Sequence, residues 1–179
     1  MEIIYEDSNI LVVNKPAGTA VYGSAKGLME RAAAALPALK KAGKAPRYGL
    51  VHRLDKDTSG IVLIAKNNKT LQLLQRQFKE KKIKKTYIAL VIGEIKEDEG
   101  VIEGKIGRKK ENRIKQAVYP SLSRKKGLRE SKTIFKVKKR LTDGKDKYTL
   151  LELFPETGRR HQIRAHLRHI HHPIAQDVL

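Results

Sequence analysis

The feature that most constrains the fold is a polar segment between two apolar runs. In VHRLDKDTSGIVLIAK, residues 51–66, the part HRLDKDTS is polar and turn-forming, and GIVLIAK is rich in β-branched residues. Short apolar runs bounded by turn-forming residues are typical of strands. The preceding YGLV fits the same pattern. We therefore predict two strands on either side of a turn that carries Asp55 and Asp57.

Further strands and a helix are indicated on both sides of this stretch. The N-terminal EIIYEDSNILVVNKP predicts two strands around a Ser8-Asn9 turn. KTLQLLQRQFKEKK predicts a helix, because Leu71, Leu74 and Phe78 recur at steps of three and four residues and so share one face. LMERAAAALPALKKAGK also has a helical pattern, which its internal proline interrupts.

The second half of the chain has mainly β patterns and ends with a helical one. From KTYIALVIGEI to YTLLELFPETG we predict strands, with turns at KEDEG and TDGKD. GRRHQIRAHLRHI predicts a helix with Ile163, Leu167 and Ile170 on its apolar face and Thr157 as a possible N-cap. The fold class expected is α/β of the α+β type. With 179 residues and no internal repeat or linker, the chain fits one domain, residues 1–179.

Composition excludes several classes of protein. The chain has no cysteine, which excludes disulfides, zinc thiolate sites and a cysteine nucleophile. The N-terminus carries acidic residues where a signal peptide has basic ones, and no run approaches the roughly 20 apolar residues of a membrane span. We expect a soluble cytoplasmic protein that does not bind membranes.

The charge points to a polyanionic partner. Lys and Arg number 39 against 19 Asp and Glu, a formal charge of +20, which favours nucleic acid. Between Lys105 and Arg140 there are fifteen basic residues and two acidic ones. This segment is the predicted surface for the nucleic-acid backbone, although a solvated lysine-rich surface would have the same composition. Its predicted contacts are Lys109, Lys110, Lys125 and Lys126.

The turn segment also has the spacing of a calcium loop. In an EF-hand, Asp55, Asp57 and Ser59 would occupy ligand positions one, three and five, and Gly60 the turn position. Position twelve requires a bidentate Glu, and here it is Lys66, whose charge repels the ion. The calcium site is therefore disfavoured.

Two other carboxylate chemistries fit less well. Haloacid-dehalogenase-like phosphotransferases carry DxDxT, which Asp55, Asp57 and Thr58 match, but buried apolar residues precede that motif, whereas here His52 and Arg53 intervene. A glycosidase pair is also disfavoured, because two carboxylates two residues apart on one segment do not naturally face each other across a substrate.

Four blocks in sequence resemble the RluA-type family of RNA pseudouridine synthases. They are LVVNKPAG, HRLDKDTSGIVLIAKN, KKTYIALV and PETGRRHQIRAHL, and the resemblance runs from about Ile4 to Asp177. It implies a mixed, largely antiparallel central sheet flanked by helices, with an RNA-binding cleft. The implied activity is the isomerisation of specific uridines in structured RNA, ribosomal or transfer RNA, to pseudouridine. No cofactor or metal and no obligate protein partner are implied.

The resemblance also implies roles for individual residues. Asp55 matches the catalytic aspartate, Tyr87 the tyrosine that stacks on the target base, and Arg164 the arginine that pairs with the aspartate. A cationic partner of this kind favours an ionised carboxylate. Arg53 matches the residue that fills the space of the flipped nucleotide. Arg160 and Arg168 would lie near Arg164 at steps of four residues. The predicted RNA contacts in these blocks are His52, Arg53, Arg160 and His161.

The histidines near the C-terminus suggest a metal site as an alternative. Five of the six lie between His161 and His172. The cluster contains no thiol or carboxylate ligand, so we predict no metal there.

The chain departs from the family pattern at several points. Tyr22 stands where His is common, Gln176 stands where Gly is common, and the sequence ends at Leu179, before a late segment of the family domain. The small N-terminal RNA-binding domain of many relatives is also not present. We expect that the C-terminal part of the catalytic domain is missing from this sequence. The alternative function is that of a catalytically silent basic RNA-binding protein.

Overall fold

The computed structural model describes residues 1–109 and 115–177, which form two compact units, Met1–Ile83 and Lys84–Leu179. Each unit has its own antiparallel sheet. No helix in the described part of the chain is long and apolar enough to cross a membrane. The expectation that residues 1–179 act as a single catalytic domain stays a prediction.

The first unit is a three-stranded sheet with two helices. Its sheet has the order β1-β2-β3, and both strand pairs are antiparallel. The elements in chain order are β1 (Glu2–Glu6), β2 (Ile10–Lys15), α1 (Leu28–Ala35), a 3₁₀ helix (Pro37–Lys41), β3 (Gly60–Ala65) and α2 (Asn68–Lys79).

Strand β2 shows the alternation of a half-buried strand. Leu11, Val13 and Lys15 are buried on one face, and the residues between them are partly exposed. The turn before it is fixed by Asp7, whose Oδ1 accepts hydrogen bonds from the backbone N–H groups of Asn9 and Ile10, both 2.7 Å. The predicted strand pair around this turn is confirmed.

Both helices of this unit follow the sequence pattern. In α2, Leu71 is buried and Leu74 and Phe78 are half-buried, so the predicted apolar face is confirmed. The helix begins after Asn67, whose side chain accepts a hydrogen bond from Thr70 N at 2.9 Å. Helix α1 ends before Pro37, as predicted.

The prediction of a strand at YGLV is wrong. These residues contribute one isolated bridge, between Leu50 and Ile64. Tyr48 has a left-handed backbone, with φ +43°, and its N–H bonds to Lys44 O at 2.7 Å, while Leu50 N–H bonds to Arg47 O at 2.9 Å. The N–H groups of Tyr48 and Leu50 are thus used in local turns and are not available to a ladder. Gly49 O nevertheless accepts a hydrogen bond from Ala65 N at 2.8 Å, which fixes the turn to β3.

In its described residues, 84–109 and 115–177, the second unit has a five-stranded sheet and one helix. Its order is β4-β8-β7-β5-β6, with every pair antiparallel. The elements are β4 (Tyr87–Ile92), β5 (Glu99–Arg108), β6 (Gln116–Tyr119), β7 (Arg129–Thr142), β8 (Lys147–Pro155) and α3 (Gln162–His169).

Helix α3 contributes to the core of this unit. Leu167 is fully buried in a cluster with sheet residues that include Leu151 and Leu153, and Ile163 and Ile170 pack against it. The predicted apolar face of this helix is therefore confirmed. Together the two antiparallel sheets and the few helices confirm the α+β class.

Thr157 does not cap helix α3, contrary to the prediction. The helix begins at Gln162, and the residue at its N-cap is His161, which has a left-handed backbone with φ +52°. The Thr157 hydroxyl instead donates to Gln162 Oε1 at 2.7 Å. Arg160 therefore precedes the helix and does not share its face with Arg164 and Arg168.

We predict that Gly49→Ala lowers the free energy of unfolding by about 1 to 3 kcal/mol, the range of an overpacked core. A β-carbon at Gly49 would lie 1.8 Å from the carbonyl oxygen of Ala65, which is backbone of β3 and cannot rotate away. Denaturant unfolding measures the change.

The matched control is Gly158→Ala. Its β-carbon would meet only the flexible end of Lys85, at 3.8 Å, so the free energy of unfolding should change by less than about 0.5 kcal/mol. Equal stabilities for the two variants would show that Gly49 does not fix the turn to the sheet.

Candidate active site

Asp55 lies in an irregular segment that leads into β3. The segment has no regular secondary structure up to Gly60, where the strand begins. Asp55 is half-exposed, and its backbone carbonyl accepts a hydrogen bond from Thr58 N at 3.2 Å. The neighbouring Leu54 is buried, with 6% of its surface exposed. Burial of Leu54 fixes the segment against the core, while the carboxylate of Asp55 remains partly accessible.

Lys15 anchors this segment through a hydrogen bond to its backbone. It is the last residue of β2 and is fully buried, at 0% exposure. Its ammonium donates hydrogen bonds to the carbonyl oxygens of Pro16 at 2.9 Å, Thr19 at 2.8 Å and Lys56 at 2.8 Å. An ammonium has three N–H donors, so all three are used. The bond to Lys56 fixes the backbone between Asp55 and Asp57.

The buried ammonium is balanced by the two carboxylates of the segment. Burial lowers the pKa of Lys15, and the charges of Asp57 and Asp55 oppose part of that effect. The three carbonyl oxygens replace water as acceptors for the charge. The sequence did not identify Lys15, because a lysine at the end of a strand is exposed in most proteins.

His52 anchors the start of the same segment. Its Nε2 accepts a hydrogen bond from Leu63 N at 3.0 Å, and its ring stacks on Phe78 with centroids 5.1 Å apart. The histidine thus ties the segment to β3 and α2. Arg53, the next residue, is exposed and donates to the Tyr22 hydroxyl at 3.1 Å. Contact of His52 and Arg53 with RNA stays a prediction.

In the second unit, Tyr87 is the first residue of β4. It is half-buried, pairs with Leu153 of β8 and packs against the apolar cluster of this unit. The strand and the cluster therefore fix the orientation of the aromatic ring.

Arg164 makes a two-pronged ion pair that the sequence did not reveal. Its Nε donates to Asp177 Oδ2 at 2.9 Å, and its Nη2 donates to Asp177 Oδ1. Both side chains are largely buried, at 16% and 7% exposure. A paired fork of this kind fixes the plane of the guanidinium. Asp177 follows the last recognised block, where no pattern signalled its role.

The turn before α3 is held by one buried amide. Gln162 donates to Lys132 O and Thr133 Oγ1, both 2.9 Å, and accepts from Thr157 Oγ1 and Arg159 N at 2.7 and 3.0 Å. All four of its hydrogen-bonding positions are thus satisfied. The turn places Arg160 at the surface and His161 half-exposed, next to the helix that carries Arg164.

His166 packs on the opposite side of α3 from solvent. Its Nε2 lies 2.9 Å from Ser131 Oγ, which itself donates to Gly104 O at 2.7 Å. The imidazole must then donate from Nε2, and no described residue offers a hydrogen bond to Nδ1. Burial, with a smaller effect of His169, lowers the pKa of His166 to about 4. The neutral, buried ring of His166 therefore helps to pack α3 against the sheet.

The other histidines of this region are separated. His172 bonds to Ile92 O at 2.9 Å, at the edge of the sheet, while His169 and His171 are exposed. Among residues 1–109 and 115–177, no group of three or more His, Asp or Glu side chains has the spacing of metal ligands.

The predicted RNA-backbone surface is partly described. Lys109 and Lys126 are exposed, and Lys125 donates to the Tyr119 hydroxyl at 2.9 Å. Lys110 lies outside the described residues.

The other predicted site residues are divided between the two units. The first unit carries His52, Arg53 and Asp55, and the second carries Tyr87, Arg160, His161 and Arg164. Pairing of Arg164 with Asp55 stays a prediction.

A family model matches most of the chain. The model, described as RNA pseudouridylate synthase, matches residues 9–169. This span contains Asp55, Tyr87 and Arg164.

Relatives and solved structures with this description are also similar. The chain is 43% identical over 175 residues to the ribosomal large subunit pseudouridine synthase C of Vibrio parahaemolyticus, covering 98% of this chain and 51% of that protein. It is 40% identical over 181 residues to the ribosomal large subunit pseudouridine synthase D of Neisseria meningitidis, covering 99% and 45%. The chain thus spans about half the length of these relatives. The structure of human RNA pseudouridylate synthase domain containing 1 matches with a TM-score of 0.82 and 28% identity, covering 99% of this chain and 68% of that one.

We predict that Lys15→Met lowers the free energy of unfolding by about 3 kcal/mol, because three carbonyl groups lose their charged donor. The segment around Asp55 should also loosen, so that amide hydrogen exchange at Thr58 becomes faster. Denaturant unfolding and hydrogen exchange measure the two effects.

Lys56→Ala is the matched control, since Lys56 accepts its bond through the backbone and its own side chain is exposed. It should change the free energy of unfolding by less than about 0.5 kcal/mol. If Lys15→Met were as stable and as protected at Thr58 as this control, the buried ammonium would not be what holds the segment.

Proposed function

We propose that this chain, which belongs to the RNA pseudouridylate synthase family, converts uridine in RNA to pseudouridine with Asp55 as the catalytic carboxylate. The observation that carries the proposal is the half-exposed Asp55 on a segment that Lys15 and His52 hold in place. A half-exposed carboxylate on a fixed backbone is accessible to a nucleotide and is held in one place for the reaction.

The reaction needs only one well-placed carboxylate. The bond between the uracil ring nitrogen and the ribose carbon breaks, the base turns over, and a ring carbon bonds to the same ribose carbon. The carbon that bonds loses its proton, and the nitrogen gains one, so product and substrate are isomers. Asp55 serves as a nucleophile or as an acid and base at the sugar. No water is consumed, and the proposal requires no metal or cofactor.

Arg164 and Tyr87 complete the proposed catalytic set. A guanidinium has five N–H groups, and two of those of Arg164 bind Asp177. We propose that Arg164 is the cationic partner of Asp55, as the family resemblance implies, and that Asp177 fixes the plane of its guanidinium. The ring of Tyr87 is proposed to stack on the target base and to take part in proton removal. Its packing against the apolar cluster supports a rigid stacking surface.

The proposed substrate is ribosomal RNA. The relatives named above are described as ribosomal large subunit pseudouridine synthases, and this supports the same RNA class here. Transfer RNA is the second candidate, and the site of action would be the cytoplasm. The formal charge of +20 supports binding to the phosphate backbone. Lys109, Lys125, Lys126, Arg160 and His161 are the proposed contacts of the second unit.

A catalytically silent RNA-binding protein would share this charge. It would have no need for the carboxylate, because base recognition and backbone contacts do not require Asp55. The two functions therefore differ in what happens when the carboxylate alone is removed.

We predict that Asp55→Asn abolishes pseudouridine formation, lowering the rate by at least about a thousandfold, because the amide can act neither as nucleophile nor as base. RNA affinity should change by no more than a few fold. Tritium release from uridine-labelled RNA measures the reaction, and filter binding measures affinity.

Asp57→Asn is the control, since it removes the same charge two residues away on an exposed side chain. Residual activity in Asp55→Asn close to that of Asp57→Asn would rule out the mechanism. Activity in neither the unsubstituted chain nor its variants, with RNA affinity intact, would favour the silent RNA-binding protein.

A further inference from the structure

We propose that Tyr22, Arg47 and Arg53 form a binding site for one phosphate group of the RNA backbone. Arg53 was already a predicted RNA contact, whereas Tyr22 and Arg47 gain a role only from the structure. The inference rests on the proposed function in one respect, namely that the bound anion belongs to RNA.

Both arginines contact the same tyrosine. Arg47 Nη2 donates to the Tyr22 hydroxyl at 2.6 Å, and Arg53 Nη1 donates to the same oxygen at 3.1 Å. The Cζ atoms of the guanidiniums lie 4.7 and 5.3 Å from the centroid of the ring. Cation–π attraction and the shared hydroxyl thus hold two positive charges at one place.

The hydrogen bonds to Tyr22 use only part of the donors of this cluster. A phenol oxygen has two lone pairs and one O–H group, and the two arginines occupy the lone pairs. The hydroxyl proton of Tyr22 must then point to another acceptor. Each guanidinium also has four further N–H groups. The three side chains together therefore keep enough donors for the oxygens of one phosphate group.

The charge of this cluster is not balanced by an acid. In the described part of the chain, neither Arg47 nor Arg53 forms an ion pair with a carboxylate, and both are exposed. Two adjacent cations repel each other, and an anion between them removes that repulsion. A phosphodiester carries one negative charge and two acceptor oxygens that match the guanidinium fork.

The backbone that carries these side chains is fixed. Arg47 lies in a turn anchored at one end by Asn68, whose side chain accepts from Gly43 N at 2.8 Å, and at the other by Gly49 O, which accepts from Ala65 N at 2.8 Å. Tyr22 follows the buried Val21, whose carbonyl accepts from the N–H of Met29 in α1 at 2.9 Å. The site is therefore formed before RNA binds, which limits the entropy lost on binding.

The position along the chain indicates which phosphate is bound. Arg53 precedes Asp55 by two residues, so their Cα atoms are at most about 7 Å apart. The phosphate is therefore one that flanks the target uridine. Tyr22, Arg47 and Arg53 would position the backbone so that the sugar reaches the carboxylate.

The test uses a fluorescein-labelled oligouridylate of twelve nucleotides and fluorescence anisotropy over a range of salt concentrations. Tyr22→Phe keeps the ring and the net charge but removes the hydroxyl, and we expect the affinity to fall about tenfold, as for the loss of hydrogen bonding to a charged group. Arg47→Gln should reduce the slope of log affinity against log salt by about 0.7, one phosphate contact on a single strand.

Arg76→Gln is the matched control, because it removes an equal charge from an exposed arginine of the same unit that pairs with Glu80. It should leave the slope unchanged. The inference is overturned if Tyr22→Phe binds as tightly as the unsubstituted chain, or if Arg47→Gln changes the slope no more than Arg76→Gln does.

Thermal melting shows whether each variant is folded. A failure of either prediction, that for Tyr22→Phe or that for Arg47→Gln, is enough to overturn the phosphate site. The anisotropy assay measures only the binding of oligouridylate and does not depend on pseudouridine formation. A chain that binds oligouridylate through this site but makes no pseudouridine would contradict the proposed function and leave the phosphate site standing.

Discussion

The candidate active site depends on the hydrogen bonds of one buried ammonium. Lys15 ends a strand whose other inward residues are apolar, and its three N–H groups bind three carbonyl oxygens of two separate segments. One of these carbonyls belongs to Lys56, between the two aspartates. The sheet, which is fixed by hydrophobic burial, thereby determines where the backbone at Asp55 lies.

In the second unit, too, buried polar side chains fix the segment that carries a functional residue. Gln162 has its four hydrogen-bonding positions filled by the turn and by β7, and this fixes where α3 begins. Asp177 then fixes the guanidinium of Arg164. In both units, buried polar groups with several hydrogen bonds fix the segments that carry the functional side chains, and the apolar core surrounds these polar groups. Removal of one partner would leave the other buried and unpaired, which is costly.

Periodicity along the sequence predicted the regular elements well. The alternation in β2 and the apolar faces of α2 and α3 follow from burial, which a sequence displays directly. The failures lie where a backbone N–H has a local partner, as at Tyr48, or where a hydroxyl binds a neighbouring side chain, as at Thr157. Sequence motifs identified Asp55 and Arg164 as candidate site residues. They did not identify Lys15 or Asp177, because a sequence does not show which of its charged residues the fold buries.

The central claim is that this chain makes pseudouridine in ribosomal RNA. The most direct measurement is a map of pseudouridines in total RNA from cells with the gene and from cells without it. We expect that one site or a few sites in large-subunit ribosomal RNA lose pseudouridine when the gene is absent, and regain it when the gene is restored. Identical maps, or a loss confined to transfer RNA, would contradict it.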